Sequence, residues 1–161
     1  MKKLLPALFC LALLALPAAR SFAAYTNDGV EEEPLYFGQV VITNNTSAQS
    51  CTIPAGGTMT CTSGITILHT GQYGVFGLSN YDPTVAIWAS IASTTSLTGP
   101  DTSTFTIGSF TFAPDISTIA NAQTPPGGTL TLYIGATLTT TAGETYSLAP
   151  YRGTYVLQIN Y

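Results

Sequence analysis

The sequence predicts an all-β chain, an antiparallel β-sandwich of about eight to ten short strands, on three observations. From residue 35 onward nearly every segment alternates apolar and polar residues with a period of two, as a strand buried on one face does. Turns rich in proline and glycine recur between those segments. No segment carries the apolar periodicity of a long helix.

In chain order, residues 1–23 read as a signal peptide. Met1-Lys2-Lys3 supplies a positive start, an apolar run follows to Leu16, and Pro17 breaks it. Ser21-Phe22-Ala23 offers small residues to a signal peptidase, which places cleavage after Ala23 with Ala24 as the rival position. The run is shorter than the roughly 20 residues a membrane-spanning helix needs. Cys10 within it follows Phe9, which does not suit a lipoprotein acceptor. Residues 24–34 are polar, contain Glu31-Glu32-Glu33 and lack apolar alternation, so they are expected to form a flexible acidic tail. Residues 35–161 are expected to form one domain.

Within that domain, residues 35–43 are the first strand. Ser50-Cys51-Thr52-Ile53, Pro54-Ala55-Gly56-Gly57 and Thr58-Met59-Thr60-Cys61 read as strand, turn and strand. A turn centred near Gly56 sets Cys51 opposite Cys61, within the Cα separation a disulfide accepts. Such a bond implies an oxidising compartment. Residues 64–69 and 73–78 are short strands, and Val85, Ile87, Ala89 and Ile91 alternate with Trp88 on the opposite face. In residues 104–113, Phe105 and Ile107 fall out of phase with Phe110 and Phe112, which predicts a bulge near Gly108-Ser109. Leu130, Leu132, Ile134, Ala136 and Leu138 alternate with threonines, Tyr133 and Gly135. Tyr155, Leu157, Ile159 and Tyr161 form the apolar face of a C-terminal strand.

Charge excludes several partners. Beyond residue 23 there are eight carboxylates and one cation, Arg152, which leaves about −7. Nucleic acid is not an expected partner, because phosphate binding needs several lysines or arginines. Anionic membrane surfaces are disfavoured for the same reason.

The residues that carry chemistry are few. No catalytic, cofactor-binding or metal-binding residue is assigned, and no enzyme activity or cofactor is expected. His69 is the one imidazole and reads as a turn or surface residue. Asp82, Asp101, Asp115 and Glu144 sit in or near turns, where side-chain hydrogen bonds to nearby backbone account for the aspartates. Arg152 reads as a solvated turn residue. Asn44-Asn45-Thr46-Ser47 contains glycosylation sequons.

The stretches Leu35-Tyr36-Phe37-Gly38 and Leu130-Thr131-Leu132-Tyr133-Ile134-Gly135-Ala136-Thr137-Leu138, with the ending Gly153-Thr154-Tyr155-Val156-Leu157-Gln158-Ile159-Asn160-Tyr161, resemble a family of small exported bacterial proteins. That family is catalogued as a domain of unknown function. The resemblance covers about residues 34–161. It implies a Gram-negative source and an immunoglobulin-like sandwich similar to pilus subunits, and it implies no activity.

The function expected is that of a secreted or cell-surface structural or interaction protein, a pilin-like or adhesin-like subunit. Its location would be the periplasm, the cell surface or the medium. Its partners would be copies of itself or other surface subunits, joined by strand addition. Leu35, Phe37 and Val41 mark the candidate donor strand. One alternative is a small outer-membrane β-barrel, the only reading that makes the membrane a partner, with nine tyrosines available for its girdles. Another is an autonomous carbohydrate-binding or ice-binding sandwich using a face that includes Thr129, Thr131, Thr137 and Thr139.

Overall fold

A computed structural model describes residues 25–100 and 103–161 of the chain. The signal segment and Asp101 therefore lie outside the described residues. The described part contains eleven strands: β1 (Asp28–Glu33), β2 (Gln39–Ile42), β3 (Ser50–Ile53), β4 (Thr60–Cys61), β5 (Ile65–His69), β6 (Gly74–Ser79), β7 (Trp88–Thr94), β8 (Leu97–Thr98), β9 (Thr104–Ala113), β10 (Leu130–Thr139) and β11 (Tyr155–Asn160). Every pairing between them is antiparallel.

β10 is the organising strand. β9 runs along one of its edges, while β6 and then β3 share the other. β1 extends the sheet beyond β6, β4 extends it beyond β3, and β8 pairs with β9. The alternation of β10 explains its position: Leu132, Ile134, Ala136 and Leu138 are all buried on one face. Gly135 faces the other way, where a Cβ would collide with the backbone of Ile53 and Ala55. Glycine is therefore required there by close approach.

Two ribbons cover the apolar face of this sheet, which makes the molecule a sandwich. β2–β5 brings Val40, Ile42 and Ile67 onto a cluster of Cys51, Ile53, Met59, Ile65, Phe105 and Leu138. β7–β11 brings Ala89, Leu157 and Ile159 onto Leu132 and Ile134, with Ile116, Phe76, Phe110 and Phe112 around them. The bulge predicted in β9 is present. Gly135 pairs with Thr111 and Thr137 with Gly108, so Ser109 and Phe110 together oppose Ala136. Ser109 has a positive φ of 48°. The extra residue restores the phase, so Phe105 and the later Phe110 and Phe112 all pack into the core.

Three expectations need correction. Residues 24–34 are not all tail, because β1 pairs with β6 from Asp28 opposite Ser79 to Glu33 opposite Val75. All six residues of β1 are exposed, and strand pairing uses backbone groups without requiring apolar side chains. The candidate donor strand is built into its own domain: β2 pairs with β5, Tyr36 and Gln72 exchange two backbone hydrogen bonds of 3.0 and 2.7 Å, and Leu35 and Phe37 pack on the first cluster. Gly38, at φ +72°, shifts the phase there, so Val40 and Ile42 join that cluster in place of the pattern drawn through Val41. The described strands also do not close into a barrel. They form separate sheets packed face to face, and only β9 and β10 reach the ~9–11 residues of a transmembrane strand.

Candidate functional site

The cysteine hairpin has the expected geometry. Cys51 pairs directly with Cys61 across β3 and β4, their Cα atoms 4.0 Å apart and their sulfurs bonded. Pro54 O accepts from Gly57 N at 2.9 Å, and Gly56 adopts φ +72° at the third position of the turn. That is a type II turn, which needs glycine at that position. The disulfide fits an oxidising compartment outside the cytoplasm. Among the described residues no helix is long and apolar enough to cross a membrane.

The isolated polar candidates have local explanations. Asp82 Oδ1 accepts from Thr84 N at 2.8 Å and from Thr84 Oγ1 at 2.7 Å. Asp115 accepts from Ser117 N and Oγ at 3.2 and 2.7 Å and from Asn121 Nδ2 at 2.9 Å. These bonds hold both carboxyls below the ordinary aspartate value. His69 lies exposed at the end of β5 opposite Gln39, and Arg152 is exposed with its backbone bridged to Thr98. Glu144 Oε2 accepts from Thr104 N at 3.5 Å. Among the described residues no three of His, Cys, Asp or Glu are grouped to hold a metal ion.

A polar knot went unread in the sequence. Asn45 Nδ2 donates to the carbonyls of Thr141 and Glu144, each at 2.8 Å, and Asn45 Oδ1 accepts from Thr140 Oγ1 at 2.7 Å. The buried Gln49 Oε1 accepts from Thr62 Oγ1 at 2.7 Å and Gly64 N at 3.2 Å. The sequon asparagine Asn45 thus ties the loop between β2 and β3 to the segment that follows β10. These partners lie up to 99 residues apart, so no local pattern announces them.

The outward face of the sheet carries rows of hydroxyls. Thr60, Thr52 and Thr137 stand side by side on β4, β3 and β10, and Ser50, Thr139 and Thr106 do so on β3, β10 and β9. The Thr52 and Thr137 hydroxyls are 2.9 Å apart. Thr129 lies outside the rows, its hydroxyl donating to Pro126 O at 3.2 Å.

A groove lies at one edge of the sandwich, between β1 and β11. A cavity of about 330 Å³ is lined by Asn27 and Gly29, by Phe76 and Leu78 of β6, and by Tyr81, Leu157, Ile159 and Tyr161. A second cavity of about 280 Å³ continues it past Tyr25, Asp82, Val85 and Ile87, sharing Asn27, Tyr81 and Tyr161. The groove exists because the inward positions of β1 carry no apolar side chain. Gly29 stands opposite Leu78 and Glu31 opposite Phe76. β11 pairs only with β7 among the described strands, so its second edge has no strand against it. The far side of β7 is covered instead, Ala89 N donating to Ile116 O and Ile87 N to Gln123 O.

The C-terminal strand residues fall into two groups here. Leu157, Ile159 and Tyr161 line the groove, while Tyr155 packs between Phe76 and Phe110. The Tyr155 hydroxyl is buried without a hydrogen-bond partner among the described residues. Burial and, secondarily, the Glu31 charge push it up to about 12. Burial and then the Asp28 charge raise Tyr81 as well.

Fold and groove define an all-β sandwich, disulfide-bonded and open along one edge. The chain belongs to the family described as a domain of unknown function, DUF4402, which matches residues 29–161. The match begins within β1, so the family unit includes part of the segment expected to be a tail. No curated protein and no solved structure matches the chain.

Proposed function

We propose that this protein is an exported, non-catalytic structural module of the cell surface, in the manner of a pilin-like or adhesin-like subunit, that joins partners by β-strand addition. The observation that carries the reading is the open groove between β1 and β11, with its apolar floor of Phe76, Leu78, Leu157 and Ile159. An added strand gains main-chain hydrogen bonds from a free sheet edge and side-chain pockets from the face beneath it. Of the other edge strands, β4 and β8 have two residues each and β2 and β5 have four and five, against six in β11. Because residues 35–43 belong to their own sandwich, this protein acts as acceptor, and the donor is another segment. The disulfide and the signal-like start support export, and the immunoglobulin-like resemblance supports the comparison with pilus subunits.

The test is to express the chain with its leader, recover it from the periplasm, and measure its mass in solution alone and with surface proteins of the same cell. Complexes lost in Ile159→Asp, with the wild-type monomer otherwise intact, support strand addition. A protein that forms no complex in either form rejects it.

The hydroxyl rows favour a second reading, a carbohydrate-binding sandwich. Retention on insoluble polysaccharide that is lost in Thr137→Lys would support that reading.

A further inference from the structure

Building on the strand-addition reading, we infer that the occupant of the β1–β11 groove is an extended, alternately apolar segment of a different protein, flanked by lysine or arginine, and not a second copy of this chain. The shape of the groove sets the apolar part. Leu157 and Ile159 lie two residues apart on β11, and Phe76 and Leu78 two apart on β6, all facing the cavity. A strand repeats its side-chain direction every two residues, over about 6.6 Å. An incoming strand therefore presents successive inward side chains to successive gaps, and Gly29 leaves them room.

Charge decides whose strand it is. Glu31 stands on the groove side of β1 opposite Phe76, Asp28, Glu32 and Glu33 lie on the same strand, and Asp82 lies at the other end of the groove. The β1 residues are exposed and Asp82 is half-buried, so a partner approaching the groove meets their field. This chain has nothing to complement it. It carries no lysine beyond residue 23, and its one arginine there, Arg152, precedes β11 with its backbone bridged to β8. Two copies brought together oppose one acidic surface to another of the same charge. Nor do the described residues of a second copy offer a free strand, because the alternating segments, β10, β11 and the one containing β2, are already paired within the domain. Opposite charge also speeds encounter and excludes like-charged competitors.

The experiment titrates the periplasmic protein with three synthetic peptides of about nine residues, the length of a strand. One alternates valine and threonine between lysine pairs, one has the same centre between glutamate pairs, and one has the lysine pairs around a centre with its valines clustered. The first is expected to bind about tenfold more tightly than the second at low salt, several weak ion pairs acting together. That difference should fade at about 1 M salt, where the Debye length is roughly 3 Å. The double variant Glu31→Gln, Glu33→Gln, altered only at exposed positions, should lose most of the discrimination while keeping affinity for the alternating centre. Equal binding of the first two peptides overturns the charge inference and leaves strand addition standing. Equal binding of the first and third shows charge attraction without the groove and overturns the inference. Binding by none of them overturns the strand-addition reading itself. Concentration-dependent filaments of the pure protein would make a second copy the occupant and overturn the inference as well.

Discussion

The side-chain amide of Asn80 donates to Asp28 Oδ2 over 2.6 Å, and this contact ties the start of β1 to the end of β6. Asn27 N donates to Asn80 O at 3.2 Å beside it, and Asn80 adopts φ +59° to present both groups. With all six residues of β1 exposed, that strand is anchored by hydrogen bonds to β6 and by this corner, and not by burial.

The anchor is expected to depend on pH. Hydrogen bonds from Asn80 and then Thr26 lower the Asp28 carboxyl below its ordinary value. A depressed acid contributes stability that is present above the unfolded value, about 3.9, and lost as pH falls through the lower folded value. Amide exchange in β1 should therefore rise below pH ~3.9 before exchange in β10 does. Asp28→Ala should produce the same local loosening at neutral pH with little change in global unfolding. Unchanged β1 exchange in that variant would show that backbone pairing alone holds the strand.

The disulfide closes a short loop, Cys51 to Cys61, separated by ten positions. Chain entropy assigns such a loop about 2–3 kcal/mol. Reduction, or the double change Cys51→Ala with Cys61→Ala, should lower the unfolding free energy by about that amount in urea titration. Gly56→Ala tests the turn separately. Nothing lies within 4 Å of the Cβ position at Gly56, so its expected cost of about 1–2 kcal/mol is purely that of φ > 0.

Tyr155 keeps a buried hydroxyl without a partner among the described residues. Tyr155→Phe should leave stability unchanged or raise it by about 1 kcal/mol, because the unsatisfied group is removed with little change in shape. In the wild type the folded value is about 12, above the unfolded value near 10. The contribution is therefore complete below pH ~10 and lost as pH rises towards the folded value, so alkaline unfolding should be shifted in Tyr155→Phe.

Leu132 is fully buried on β10 beneath the β7–β11 ribbon. Leu132→Ala should cost about 2–5 kcal/mol by denaturant titration. Thr131→Ala, one position away on the outward face, should cost less than about 1 kcal/mol.

How far the sequence discloses the fold depends on whether the determining contact is local. The β10 alternation, the Cys51–Cys61 hairpin and the bulge at Ser109 are periodicity and turn chemistry, visible within ten residues or so. β1 was missed because its strand character comes from β6, and no apolar alternation marks it. The switch of phase at Gly38 escaped for a related reason. A positive φ there brings Gly38 up against the backbone of His69 and Gly71, distant in the chain.

The candidate site divides in the same way. The apolar face of Leu157, Ile159 and Tyr161 and the scarcity of basic residues are properties of the chain itself. That this face ends up beside an unoccupied gap depends on Gly29 and Glu31 standing where apolar side chains would close it.

By itself, then, the sequence determined an all-β chain with a disulfide hairpin, a strongly acidic balance and the inward face of each main strand, because period-two alternation and turn residues act over a few positions. Only the tertiary structure decided which strands are neighbours, that β1 is paired, and that an edge stays open between β1 and β11. Those outcomes rest on backbone hydrogen bonds between segments far apart in the chain, and backbone groups are the same whatever side chain they carry.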